Sequence, residues 1–291
     1  MKKILILLSL INVSSFFSQQ VSYVKIHDQP VFPKVSLNID FMNMDANFGN
    51  FDNLTFNIGA WGYVALPANL EVQFNVQKSY LTLGKLLNKS YVGNTELNVG
   101  SAYFLKEFSR TENVKMILSQ KTSYDGRYTL TNYIQVPAKA TYKLGLEGGF
   151  HFRSSPYDCE TDIYSEKLNM TNIGFYVGPV LKRSSSAKIS LDNGNSTALN
   201  SANWEFFLDG LFLPVNSFKV SETDTKITDG TKDLIKQNPL GFRVGARMYQ
   251  ADKKENTGKR FGLCYSASFG KKPYQGWFMT GSLGITILKK H

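Results

Sequence analysis

The chain has 291 residues, 42% hydrophobic and 19% charged, and its 33 Lys and Arg outnumber 23 Asp and Glu for a net charge of +10. Two cysteines, Cys159 and Cys264, are too few for a disulfide-stapled scaffold, although one bridge or two plain thiols both remain open. The excess of cations admits an anionic partner, but no zinc-ligand spacing, helix-turn-helix pattern or RNP-like aromatic motif accompanies it, so nucleic acid is set aside.

The first residues read as an address. Lys2 and Lys3 precede a mostly apolar run, Ile4 to Val13, that is too short to span a bilayer. Residues 1–18 are therefore expected to be a cleaved secretory signal, cut after Ser18, although Phe16 departs from the small-residue rule three positions before the cut. Residues 19–34, with Pro30 and Pro33, lack periodicity and predict an N-terminal arm or a plug.

From Val35 to the end, apolar and polar residues alternate in segments separated by turn signals. Leu70, Val72, Phe74 and Val76 alternate with Glu71, Gln73, Asn75 and Gln77. Tyr142, Leu144, Leu146, Phe150 and Phe152 alternate with Lys143, Gly145, Glu147, His151 and Arg153. Successive side chains of a strand point to opposite faces, so each segment has one apolar and one polar side. The spacing predicts twelve strands, at 35–42, 54–65, 70–78, 95–105, 113–122, 127–136, 140–153, 171–182, 203–213, 239–250, 260–270 and 276–288, with ten or fourteen as alternatives. The segments 113–122 and 127–136 flank the turn signal Ser123 to Gly126 and also fit a protruding hairpin. Short turns are expected at 67–69 and 137–139 and long loops at 79–94, 154–170 and 214–238. The segment 183–202 breaks that alternation of short and long, which implies a misplaced strand end or an enlarged loop.

No stretch after Ser18 approaches the roughly 18 apolar residues of a spanning helix. If the chain enters a membrane, it must do so as a closed sheet, because an open edge in lipid leaves backbone groups unpaired at several kcal/mol each. The expected fold is all-β: a closed antiparallel transmembrane β-barrel over residues 35–291, with lipid on the apolar side and water on the polar side.

At the C-terminus, Trp277, Met279, Gly281, Leu283, Ile285 and Ile287 face one way, and Thr280, Ser282, Gly284 and Thr286 the other. This segment resembles the closing strand of the outer-membrane β-barrels of Gram-negative bacteria. Ser282, Gly284 and Ile287 match that pattern, while Lys289 and the terminal His291 depart from the usual aromatic end. The resemblance implies insertion by the barrel-assembly machinery, placement in the cell outer membrane and contact with lipid and lipopolysaccharide. It implies no particular activity.

Aromatic residues at strand ends suit the headgroup region, which makes Trp204, Tyr249, Tyr274 and Trp277 the girdle candidates; Trp61 sits on the polar side. Lumen-lining candidates are Lys143, Glu147, His151 and Arg153 on one strand, with Lys182 beside them, and Glu205, Asp209, Arg243 and Arg247 on two others. The last four pair either as a charged constriction or as a structural ladder of salt bridges. His151 could serve a membrane-embedded lipid hydrolase only with a nucleophile beside it, but Arg occupies position 153 and Ser154 points the other way. No metal or phosphate motif appears, and no cofactor is expected. The leading expectation is a passive, porin-like pore for small solutes. A non-conducting barrel that serves an envelope secretion, motility or surface-assembly partner is the alternative, and the hydrolase the remote third.

Overall fold

A computed structural model describes residues 22–30, 32–48, 53–83, 90–91, 94–122, 129–160, 165–191, 197–220, 238–249, 261–274 and 276–289. The proposed signal peptide and the tips of most connections lie outside these residues. The strands are β1 (Tyr23–His27), β2 (Val35–Phe48), β3 (Asn53–Leu66), β4 (Leu70–Leu83), β5 (Ser90–Tyr91), β6 (Thr95–Thr122), β7 (Thr129–Glu160), β8 (Ser165–Leu191), β9 (Thr197–Val220), β10 (Leu240–Tyr249), β11 (Phe261–Lys272) and β12 (Gly276–Lys289).

Ten of them close an antiparallel barrel. Going round the wall, each strand pairs with the next from β2 to β12, β5 excepted, and β12 pairs back with β2 from Trp277 opposite Phe48 to Lys289 opposite Val35. Both ends of the barrel sequence therefore lie at one rim, called here the termini end. Ten is the lowest of the expected counts, and the reason is specific. Segments 95–105 and 113–122 are one strand, β6, and segments 127–136 and 140–153 are one strand, β7, paired from Thr95 opposite Ser154 to Thr122 opposite Thr129 with register shifts at Leu105 and Leu118.

Pro137, expected in a turn, sits inside β7 opposite Asn113. It is tolerated because, among the described residues, this part of β7 has a partner strand on one side only: pairing with β8 begins at Ala140 opposite Ser185. The Lys139 N–H points away from β6 toward the Asp28 carboxylate. Pro137, two residues earlier, must present its nitrogen to the same open side, where no ladder bond is lost.

The segment that broke the expected loop alternation has the same origin. β8 continues to Leu191 and β9 starts at Thr197, so residues 183–202 are mostly strand. Likewise β7 reaches Glu160 and β8 begins at Ser165, which reduces the expected long loop 154–170 to 161–164.

At the termini end, β6–β7 and β8–β9 run beyond the barrel and pack on each other. Val114, Met116, Val136, Ala138, Ala187 and Ile189 form a buried cluster there, with Tyr23 of β1 against it. β1 pairs with β8 at residues 188–191, where β8 has parted from β7. Within the barrel the same face of β7 carries Leu144, Leu146 and Phe150, all exposed. One strand face thus meets the surroundings in the barrel and becomes a small protein core beyond it.

The wall itself is apolar outside and polar inside. Phe175 and Val177 are 60% and 65% exposed, while the interior side chains Arg153, Lys182 and Asp209 are 1%, 1% and 0% exposed. Glycines clear space where strands converge. A Cβ on Gly149 would collide with Cα of Gly100, and one on Gly100 would collide with the Tyr176 hydroxyl, so this pair makes room for the Tyr176 ring inside the wall.

Candidate functional site: the filled lumen

Alternation alone sends Glu205 and Asp209 inward from β9 and Arg243 and Arg247 inward from β10. Register then decides their partners: Asp209 lies opposite Arg243, and Glu205 opposite Arg247. Arg243 donates to Asp209 Oδ2 through Nη2 at 2.6 Å and Nε at 2.9 Å. Arg247 pairs with Glu205, which also takes Lys182 Nζ at 3.2 Å from β8; Lys182 pairs in addition with Glu71 of β4. The Lys182–Glu71 link ties together strands that are not neighbours.

Nearer the far end, Arg153 Nη1 lies 2.8 Å from both Asp45 and Glu96. Lys272 Nζ reaches the Asp45 carboxylate at 2.8 and 2.9 Å. Asn98 donates to Glu96 at 3.0 Å and its carbonyl oxygen meets Nδ1 of His151. Glu147 accepts from Gln73 Nε2 at 2.7 Å. Aromatic rings pack between the charges: Lys182 Nζ is 3.7 Å from the Tyr63 ring centroid, and Arg247 is 4.7 Å from Phe207 and 5.4 Å from Trp61.

Polar cavities of about 20 and 50 Å³ lie between these side chains, one bounded by Glu147, Glu205, Arg243 and Arg247 and the other by Asp40, His151 and Lys272. The first has room for about one water molecule and the second for about three or four.

Of the lumen candidates, Glu147, His151, Arg153, Glu205, Asp209 and Arg243 are buried in this interior. Arg247 joins them half-buried, and Lys143 sits at the termini-end rim, 3.8 Å from Glu107 and with its ammonium 4.9 Å from the Phe32 ring. His151 and Ser154 face opposite sides, and the Ser154 hydroxyl donates to Asn169 Oδ1 at 3.2 Å. Cys264 is a free, buried thiol.

Trp277 lies on the outer face at the far end, stacked on Phe269 at 5.2 Å and edge-on to Phe242 at 5.7 Å. Trp204 lies on the outer face toward the termini end, stacked on Phe206 at 5.8 Å. Tyr274, in the connection after β11 with φ of 64°, donates to the Leu213 carbonyl at 3.1 Å. Tyr249 is a correction: it is 0% exposed, inside the barrel, with its hydroxyl 2.9 Å from that of Tyr63 and its ring edge-on to Trp61 at 5.9 Å. Its odd position shares the inward parity of Arg243 and Arg247, which outweighs its place at a strand end.

Asp45, Glu96 and Lys272 escaped the reading of the sequence. Asp45 was hidden by a register shift between Asp40 and Asn43, where Phe41 and Met42 both face out and the inward parity changes from even to odd. Lys272 lies two residues past the expected strand end. Glu96 stood in plain view on the polar parity of its strand, but without its partners nothing singled it out.

No protein-family model and no curated protein matches the chain. Among solved structures, OmpT, an outer membrane protein of Vibrio cholerae, aligns over 88% of this chain and 97% of its own at 8% identity, with a TM-score of 0.20. An anion-selective porin from Comamonas acidovorans aligns over 89% and 100% at 10% identity, with a TM-score of 0.16. A mutant of the Rh. blastica porin aligns over 87% and 99% at 9% identity, with a TM-score of 0.15. Superpositions this loose carry no argument about this chain. Its own strand register and polarity make it a closed antiparallel β-barrel with an apolar outer face and a polar interior.

Proposed function

We propose that the protein is an outer-membrane β-barrel whose lumen is plugged by its own charged side chains, and that it serves the cell envelope through its ends. The outer face supports the membrane, because an Arg or Lys at the bilayer midplane costs about 2–4 kcal/mol and the exposed band is aliphatic and aromatic. The secretory leader supports the outer membrane as the location, with lipopolysaccharide on its outer leaflet and the barrel-assembly machinery as the route of insertion.

One observation carries the preference for a non-conducting barrel over a passive pore. The interior ion pairs of Arg153 with Asp45 and of Lys182 with Glu71 reach across the barrel, and the polar cavities beside them measure about 20 and 50 Å³. A diffusive channel needs a continuous water column, and desolvated pairs of this kind offer none. The material built beyond the barrel lies at the termini end, which supports an accessory role for a partner on that side.

Planar-bilayer recording of the refolded protein tests this. The expected trace is flat at a protein density that gives clear steps with a general porin. Reproducible porin-sized steps from correctly folded protein would reject the plugged barrel and restore the pore.

A further inference from the structure

At the termini end a strand edge is left open. On the N-terminal side of Ala140, β7 has β6 on one side and, among the described residues, no strand on the other, because β8 turns to β1 at residues 188–191. The Lys139 N–H points to that open side, so Gln135, Tyr133 and Thr131 present their backbone N–H and C=O groups the same way. Among the described residues no backbone partner meets them. Pro137 and the Asp28 carboxylate close the end of the edge nearest the barrel and leave the distal part available.

The surroundings have a definite chemistry. Among the described residues of the extensions past Glu112 and of the arm, Lys25, Lys34, Lys115, Lys139 and Lys188 stand with one acid, Asp28, which Lys25 engages at 2.8 Å. Exposed apolar groups flank them: Ile117 and Tyr133 are 56% and 49% exposed on one face of the hairpin, and Val24 on β1 is 62% exposed. An edge with free backbone groups, apolar side chains beside it and a surplus of ammonium groups suits an extended, acidic, alternating segment.

We infer that the β7 edge at Thr131–Gln135 is a docking site for an extended acidic segment of a partner protein, which joins the hairpin as an added strand. This rests on the reading that the barrel acts through its ends. Backbone bonds hold the strand, and lysines select its sign. The contact is local to the extension and independent of whether the lumen conducts.

The probe is a fluorescent decapeptide of alternating Glu and Val, titrated against the full-length protein in neutral-lipid nanodiscs, with a Lys and Val decapeptide as control. The acidic peptide is expected to bind at least tenfold more tightly than the basic one and to weaken as salt rises. Gln135→Pro removes one outward N–H and no bond to β6, and is expected to cut acidic-peptide binding at least tenfold with the folded barrel retained on heat-modifiability gels. If that variant misfolds, Lys115→Glu with Lys139→Glu supplies the same readout. Equal binding of the two peptides overturns the proposal, as does full binding by every folded variant. So does failure of the peptide to bind where vesicles of anionic phospholipid do, since the basic surface would then be a lipid contact. A conducting barrel that still binds the peptide would reject the plug and leave the docking edge standing.

Discussion

Glu205 and Lys182 lie directly opposite each other on β9 and β8, with the Lys182 ammonium 3.2 Å from Glu205 Oε2 and both side chains sealed from solvent. Each has a second partner, Arg247 for the acid and Glu71 for the base. The four charges form one chain across the inside of the wall, so removing Glu205 leaves Arg247 desolvated without its acid while Lys182 keeps Glu71.

Glu205→Leu should therefore destabilise the barrel by about 3–5 kcal/mol, as expected when one member of a buried ion pair is lost. Lys143→Ala, at the rim, should cost under about 1 kcal/mol. Urea unfolding in lipid vesicles measures both. Adding Arg247→Met to Glu205→Leu should recover part of the loss, because Glu205 is the acid that Arg247 pairs with, and strict additivity of the two changes would show that they do not interact.

The three tryptophans report which side of the wall they occupy. In single-tryptophan variants, Trp204 and Trp277 should be quenched by brominated lipids. Trp61, which is 5% exposed and donates from Nε1 to Asp40 at 3.2 Å, should not be. Strong quenching of Trp61 would turn the barrel inside out.

Gly149→Ala forces a methyl group against the Gly100 backbone, where rigid chain rather than a flexible side-chain tip must yield. A loss of about 1–3 kcal/mol is expected from such overpacking. Gly281→Ala is the control, because its nearest heavy atom would be 4.0 Å away. Equal stability of the two variants would contradict the close approach of β6 and β7.

Just beyond the barrel rim, Glu112 is opposed by burial, but hydrogen bonds from Tyr142, Arg183 and Arg110 prevail and hold its carboxyl at about 2, below its ordinary 4.5. A depressed acid contributes stability above its unfolded value and loses it as pH falls toward the folded one. The stability gap between the native chain and Glu112→Gln should be constant above about pH 5 and close between about 4.5 and 2. A gap that is unchanged at pH 2 would remove the carboxylate from any role in anchoring the extension. The partners lie on β6, β7 and β8, so protease nicking of the β6–β7 hairpin should rise over the same pH range.

Much of this was legible in single residues. Leu70 to Gln77 and Leu144 to Arg153 show their two faces to any reader, because a strand's period of two is a property of the backbone and needs no neighbours. That same period places Tyr249 with Arg247, and the strand-end rule that put it in the girdle was the weaker argument. Glu205, Asp209, Arg243 and Arg247 were visible as facing pairs for the same reason.

The sequence by itself determined that the chain makes long two-faced strands, which faces are apolar and which charges point inward, since alternation is local chemistry. Only the tertiary structure decided that ten strands close the wall, that β6 and β7 run on past Pro137 as an extension, and that the inward charges meet and fill the lumen. Closure, a bulge at Phe41 and Met42, and ion pairs between residues as distant as Glu71 and Lys182 depend on register between strands far apart in the chain. Register is a sum of many weak pairings, and no single segment carries it.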